Sequence, residues 1–270
     1  VNTMHLHGVG TALPGLGAFD HVIASFEIGG RRGFVDATTS GDGGGVFDRC
    51  LPPYGLGLPV RADAGQLVEI PHRGIERSSM LVAEDIHLHP KEPQSYIDWR
   101  IEAVGGDANL LRARLRAVGA DTFGKVEAED LRNHFPTARS VGTTKWIDDK
   151  AANRVIVRGR AAFADWGTNP KGGRKTLQYK PRWLYHALSA PSLAEKRTHP
   201  FQLVFPATVR HEIRVHQKRH GFGQTFRLKS DNPFFQSSTV IRKCSDAMIE
   251  AVYAYHVRVG RSEERRVGKE

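Results

Sequence analysis

His21 and Asp36 are the side chains of this sequence whose types suit catalysis together. An imidazole within reach of a carboxylate is the orienting half of a nucleophilic triad. The carboxylate fixes the tautomer and stabilises the imidazolium, while the other ring nitrogen takes a proton from a thiol or hydroxyl. The two residues stand fifteen apart in the chain, so they meet only if the chain doubles back. The stretch AFDHVIASFEIGGRRGFVDATTS, residues 18–40, says how. Val22, Ala24, Phe26 and Ile28 alternate with Ile23, Ser25 and Glu27, the period of a half-buried strand. Gly29-Gly30 makes a tight turn that needs positive φ, and a second strand, Arg32 to Val35, runs into Asp36. A hairpin about the two glycines brings His21 and Asp36 together at its open end. The same residues also suit a bland role, an edge histidine and a turn-forming aspartate.

Other chemistry-bearing residues give weaker patterns. His5 and His7 lie two apart, on one face of an extended segment, but no Cys, Asp or further His stands at ligand spacing, so they read as surface histidines and no metal is expected. Gly41 to Gly45, GDGGG, lacks the Gly-Lys-Ser/Thr ending of a phosphate loop and the GxGxxG spacing, and reads as a flexible connection. Cys50 has only Arg49 beside it, and Pro52-Pro53 opposes a helix after it, so it reads as a small buried apolar group rather than a nucleophile. His211 and His216 fall on opposite faces of a strand, so with His220 they form no shared metal site. Trp146, Trp166 and Trp183 read as packing rather than as a carbohydrate platform.

The segment FDHVI, a short strand-turn-strand, and then (F)VDATTS resembles the His and Asp segments of the transglutaminase-like superfamily. It is most similar to bacterial multidomain members in which the papain-like core sits between β-sandwich domains. Ala37 stands where that family usually has Pro, a departure in the turn that leaves the carboxylate in place. Val1-Asn2-Thr3 resembles the family's strand before the motif, and Ala12-Leu13-Pro14 its "LP" run. Pro53-Tyr54-Gly55 and Leu67 to Pro71 resemble the segment that closes the core. The resemblance implies that His21 is general base and then acid, that Asp36 orients it, and that the nucleophile is a Cys at the start of a helix upstream, where dipole and His favour the thiolate. No cysteine precedes His21 in this sequence. The chain is therefore expected to be the C-terminal fragment of a larger protein, inactive as given. The parent would transfer an acyl group from a protein or peptide amide to water or an amine, without metal or organic cofactor, in the bacterial periplasm or cell envelope. The alternative is a non-catalytic scaffold of the same fold that binds in the envelope.

Fractions of 40% hydrophobic and 25% charged residues are ordinary for a soluble globular protein. No apolar run is long enough for a membrane span. The net charge of +10 is scattered along alternating strands and accompanies no nucleic-acid module, so no nucleic-acid partner is expected. The expected fold class is α+β. Residues 1–75 form the C-terminal part of a transglutaminase-like core, mostly antiparallel β. Residues 76–260 form a β-sandwich-type domain with a helical insertion near 107–135, which resembles the β-domain that follows the core in the same family. Strands are expected at Met80 to His89, Ser95 to Val104, Asn153 to Phe163, His211 to Gln217 and Ile249 to Val259. One helix is capped by Asp107 with a stripe of Leu110, Leu111, Leu115 and Val118, and another spans Ala128 to Phe135. Residues 261–270, RSEERRVGKE, resemble a translated sequencing adapter and are expected to have no place in the fold. Removing them lowers the net charge only from +10 to +9.

Overall fold

The computed structural model describes the chain apart from residues 4–8, 12, 14, 16, 40, 63–64, 72–76, 165, 167–175, 188–200, 203–206, 218–223, 259–260 and 263–270. Of 186–187, 201–202 and 261–262 the backbone alone is described. The protein is mostly β and of α+β class, with 45% of residues in strands and 17% in helices. The chain divides into two units. The first is Val1–Ser78 with Val104–Ala113 and Asp148–Val155, and the second is Ser79–Ala103, Arg114–Ile147 and Ile156–Glu270.

In the first unit the expected hairpin is present. Strand β1 (Ala24–Ile28) pairs antiparallel with β2 (Arg31–Val35) in the register Ala24↔Val35 to Ile28↔Arg31. Gly29 and Gly30 close it with φ of 57° and 72°, a region that L side chains avoid and that matches the twist of the two strands. Phe26 faces Gly33 across the ladder, and its ring fills the space that a Cβ on Gly33 would need. The face expected to be buried is not: Val22 is 77% and Ile28 56% exposed. A two-stranded ribbon has one covered side, and here Ile23 and Phe34 supply it by packing on Val1, Leu51, Tyr54 and Ile70. Strands β3 (Gly55–Gly57) and β4 (Val68–Ile70) pair antiparallel and carry Ile70 into that cluster.

The remaining elements are β5 (Ser79–His87), β6 (Ser95–Val104), α1 (Gly106–Val118), α2 (Ala120–Asp130), β7 (Arg139–Asp149), β8 (Arg154–Phe163), α3 (Arg182–Ala187), β9 (Phe201–Gln202), β10 (Thr208–His216), β11 (Phe226–Asp231), β12 (Phe235–Ser245), β13 (Met248–Val257) and β14 (Arg261–Ser262). Eight strands form one mixed sheet in the order β11-β12-β13-β10-β5-β6-β8-β7. Strands β10 to β13 pair antiparallel where they neighbour one another, and β10 runs parallel to β5. The expected strands of this unit are present, but among the described residues they lie in this one mixed sheet rather than in the two facing sheets of the expected β-sandwich. Residues Arg261–Ser262 of the expected extraneous tail pair with β9, and 263–270 lie outside the described residues.

Three helical expectations are corrected. Helix α1 starts at Gly106, so Asp107 sits in its first turn and is not the cap. The first amide, Gly106 N–H, donates instead to Ser78 Oγ at 2.8 Å, a residue 28 positions earlier. The buried stripe of α1 is Ala108, Leu111, Arg112 and Leu115, while Leu110 (73%) and Val118 (42%) are exposed. The second helix begins at Ala120, after Gly119 has ended α1 at a φ of 78°, and it finishes in a single 3-10 turn, Leu131–Asn133, ahead of Pro136.

Candidate active site

The hairpin register decides the geometry of the site. Ala24 and Val35 are opposite one another, so His21 and Asp36 leave the open end of the ribbon side by side. The His21 backbone is fixed by a bridge to Val1, whose N donates to His21 O at 3.0 Å while His21 N donates to Val1 O at 3.3 Å. Thr3 N and Thr3 Oγ1 each donate to Asp20 at 2.8 Å, which ties down the residue before it. His21 Nε2 then lies 2.8 Å from Asp36 Oδ2. The structure thus brings together the two residues that the sequence singles out.

Asp36 is 3% exposed and accepts from four donors. Oδ1 receives Thr38 N–H at 2.9 Å and Thr38 Oγ1–H at 2.6 Å, the local turn of a DxT segment. Oδ2 receives Tyr54 O–H at 2.6 Å and shares the contact with His21 Nε2. Burial alone pushes this carboxyl up, but the hydrogen bonds from Thr38, Tyr54 and His21 outweigh it and hold Asp36 well below its ordinary 3.8. Burial and the adjoining Asp36 charge push the Tyr54 phenol well above its ordinary 10. An ionised carboxylate only accepts. Neutral His21 must therefore carry its proton on Nε2, which leaves the Nδ1 lone pair as the base; the network assigns this tautomer. Among the described residues nothing is hydrogen-bonded to Nδ1, and the side chain is 20% exposed.

Neither thiol meets that nitrogen. Cys50 donates weakly to Asp48 O at 3.9 Å. Burial pushes its thiol up, against hydrogen bonds from Ser78 and Gly106, and the carboxylates of Asp42 and Asp107 push it further. A nucleophilic thiol needs the opposite shift. Cys244 is exposed on β12 of the second unit. The glycine-rich loop expected to be flexible is pinned. Gly43 N donates to Asn109 Oδ1 at 3.2 Å and Gly44 N to Lys150 O at 2.8 Å. Gly41 O receives Arg112 Nη1 at 3.1 Å. Arg112 is buried and also holds Asp148, Asn109 and Asn153, so one guanidinium joins all three chain segments of the first unit.

One buried set of titratable groups serves the core of the second unit. Glu84 Oε2 receives His211 Nε2 at 2.8 Å and Tyr179 O–H at 2.7 Å, and Oε1 receives Arg182 Nε at 2.9 Å. Arg182 Nη1 reaches Glu127 at 2.7 Å and Asp130 at 2.9 Å, and Trp183 Nε1 donates to Glu127 at 3.2 Å. Burial pushes Glu84 up, but the charges of Arg182 and His211 hold it at about 2. The side chains of Glu84 and His211 are both fully buried, so no substrate atom reaches them. His216 stacks on His87 with ring centroids 4.4 Å apart and planes 8° from parallel. Imidazole lone pairs lie in the ring plane, so two stacked rings do not converge on one ion. No group of three metal-ligating side chains occurs among the described residues, and His5, His7 and His220 lie outside them. Trp166 is buried, in keeping with packing.

Tyr54 stands in the sequence only as part of Pro53-Tyr54-Gly55 and carries no motif that marks it as a site residue. Its signal was faint: Pro52-Pro53 fix the chain immediately before an aromatic, and Tyr54 N closes a tight turn on Pro52 O at 2.7 Å. In comparisons with known proteins, no family model, curated protein or solved structure matches this chain.

Proposed function

We propose that His21 and Asp36 are the base and the orienting acid of a transglutaminase-like cysteine enzyme whose thiol stands upstream of residue 1. The observation that carries this reading is the 2.8 Å contact of His21 Nε2 with a buried carboxylate that Thr38 and Tyr54 already hold ionised. Such an acid has no remaining use for a proton and every use for an N–H donor, which is what an orienting carboxylate requires. The resemblance of FDHVI and VDATTS to the family's His and Asp segments supplies the missing partner.

In this mechanism His21 Nδ1 takes the thiol proton and the thiolate attacks the carbonyl carbon of a protein or peptide amide. The tetrahedral intermediate collapses as His21 returns the proton to the departing amine, leaving a thioester. Water or a second amine then attacks the thioester, with His21 again accepting its proton, and the thiol is released. Asp36 stays ionised throughout and stabilises the imidazolium. The chain as given supplies the base and not the nucleophile, so it is inactive alone on this reading.

The test is the coding sequence immediately before residue 1. A Cys that opens a helix there, whose change to Ala abolishes amide turnover in the extended protein, supports the enzyme. A continuous reading frame with no such Cys overturns it and leaves the scaffold of the same fold, which binds without chemistry.

A further inference from the structure

Tyr54 belongs to no catalytic motif, yet its hydroxyl meets the very oxygen that orients His21. Tyr54 O–H donates to Asp36 Oδ2 at 2.6 Å, and His21 Nε2 meets the same atom at 2.8 Å. The phenol is 3% exposed, set in the cluster of Val1, Leu51 and Ile70, and its ring centroid lies 5.6 Å from that of His21. A donor whose ring is held in an apolar cluster keeps its place, where a surface water would exchange. Thr38 grips only Oδ1, through two bonds from one residue. A carboxylate held at one oxygen alone can swing about that anchor, and a swing carries Oδ2 away from the imidazole.

We propose that Tyr54 is a positioning residue of the His21 site: its hydroxyl fixes Asp36 Oδ2 where that oxygen receives the His21 Nε2–H, and so commits the neutral imidazole to the tautomer with Nδ1 free. This deepens, and rests on, the reading of His21 as general base. Tyr54 touches no reacting atom; it acts through Asp36.

The experiment is ¹⁵N NMR of the imidazole nitrogens of His21 in the full 270-residue chain, under alkaline conditions in which imidazoles are neutral. Wild type is compared with Tyr54→Phe, which keeps the packed ring and removes the donor. Wild type is expected to show Nε2–H almost alone. In the variant Asp36 Oδ2 is free to swing away, and the share of Nδ1–H should rise about tenfold or more, as loss of the His21 Nε2–H bond to a charged acceptor implies. A residue that merely fills the core would lower the melting temperature and leave the tautomer ratio where it was. An unchanged ratio in folded Tyr54→Phe overturns the role of Tyr54 alone. Wild type that already carries Nδ1–H overturns the base reading itself, so the two failures are distinct. If Tyr54→Phe does not fold, Tyr54→3-fluorotyrosine keeps the shape with a more acidic phenol that pulls harder on Oδ2. The His21 Nε2 proton resonance should then move upfield, and a resonance that stays in place overturns the proposal.

Discussion

Changing Asp36 to Asn keeps the shape of the side chain and reverses half of its hydrogen bonding. The amide oxygen can still receive Thr38 N–H and Thr38 Oγ1–H, which wild type places at 2.9 and 2.6 Å on Oδ1. The amide NH₂ then faces Tyr54 O–H and His21 Nε2, two groups that both donate to Oδ2 in wild type. His21 escapes by moving its proton to Nδ1, which converts the candidate base into a donor. Tyr54 does not escape, because its phenol is 3% exposed and its O–H has lost its acceptor. Hydrogen bonds to a charge contribute about 1.5–3 kcal/mol and neutral ones about 0.5–1.5, and an unmet buried donor costs about 1–3. Relief of the desolvated charge offsets part of this, so Asp36→Asn should cost the first unit about 2–4 kcal/mol near neutral pH. Hydrogen exchange of the hairpin amides between Ala24 and Val35 reads that unit directly. The sign of the pH dependence follows from linkage. Asp36 titrates lower in the folded chain than its ordinary 3.8, so its contribution is full above that value and is lost as pH falls below it. The difference between wild type and Asp36→Asn should hold steady from pH 5 to 8 and shrink below about pH 4. A cost under about 1 kcal/mol, or one that is the same at pH 3 and pH 7, would refute the four-donor description of Asp36.

Three further outcomes are expected. Arg182→Leu removes the cation shared by Glu84 and Glu127, both buried, and should cost the second unit about 3–5 kcal/mol in a urea titration followed by tryptophan fluorescence; a cost near zero contradicts the network. Burial pushes Asp107 up to about 6, so its ionisation weighs against the fold as pH rises through the interval from its ordinary 3.8. Asp107→Asn should therefore stabilise the protein by about 1–2 kcal/mol at pH 8 and by nothing below pH 4, and equal melting temperatures at pH 8 would count against it. Gly124→Ala improves helix propensity by about 1 kcal/mol, but the new Cβ runs into Thr144 Oγ1, so a net loss of about 1–3 kcal/mol is expected. The double variant with Thr144→Ala should recover most of it, and a stabilising single variant would show that α2 is free to move off β7.

What could be read in the sequence was local. Gly29-Gly30 between two alternating runs admits one turn type, and that turn sets the register that joins His21 to Asp36. Strands β5, β6 and β8 were legible because their apolar alternation lies within ten residues or so. Helix α2 begins eight residues before the expected Ala128, and Gly124 inside it, a weak helix former, sits where Thr144 approaches closely from another element. Strand β7 carries Lys145, Asp148 and Asp149 and a glycine at positive φ, Gly142, as an edge strand of the sheet does, so no period marks it. Tyr54 lies 18 residues from Asp36, and Arg182 lies 98 from Glu84. Pairings at that range are decided by tertiary packing, of Tyr54 in the cluster with Val1, Leu51 and Ile70 and of Arg182 against the sheet residue Glu84, which no window of sequence contains.

On the proposed reading His21 moves protons for an upstream thiol. The most direct measurement is amide turnover by the chain extended through the segment that precedes residue 1, with and without His21→Ala. Loss of a positioned general acid–base is expected to lower the rate by about 10²–10⁴-fold while the hairpin amides stay protected from exchange. Turnover at the wild-type rate in folded His21→Ala would contradict the claim and return His21 and Asp36 to the role of an edge histidine held by a turn.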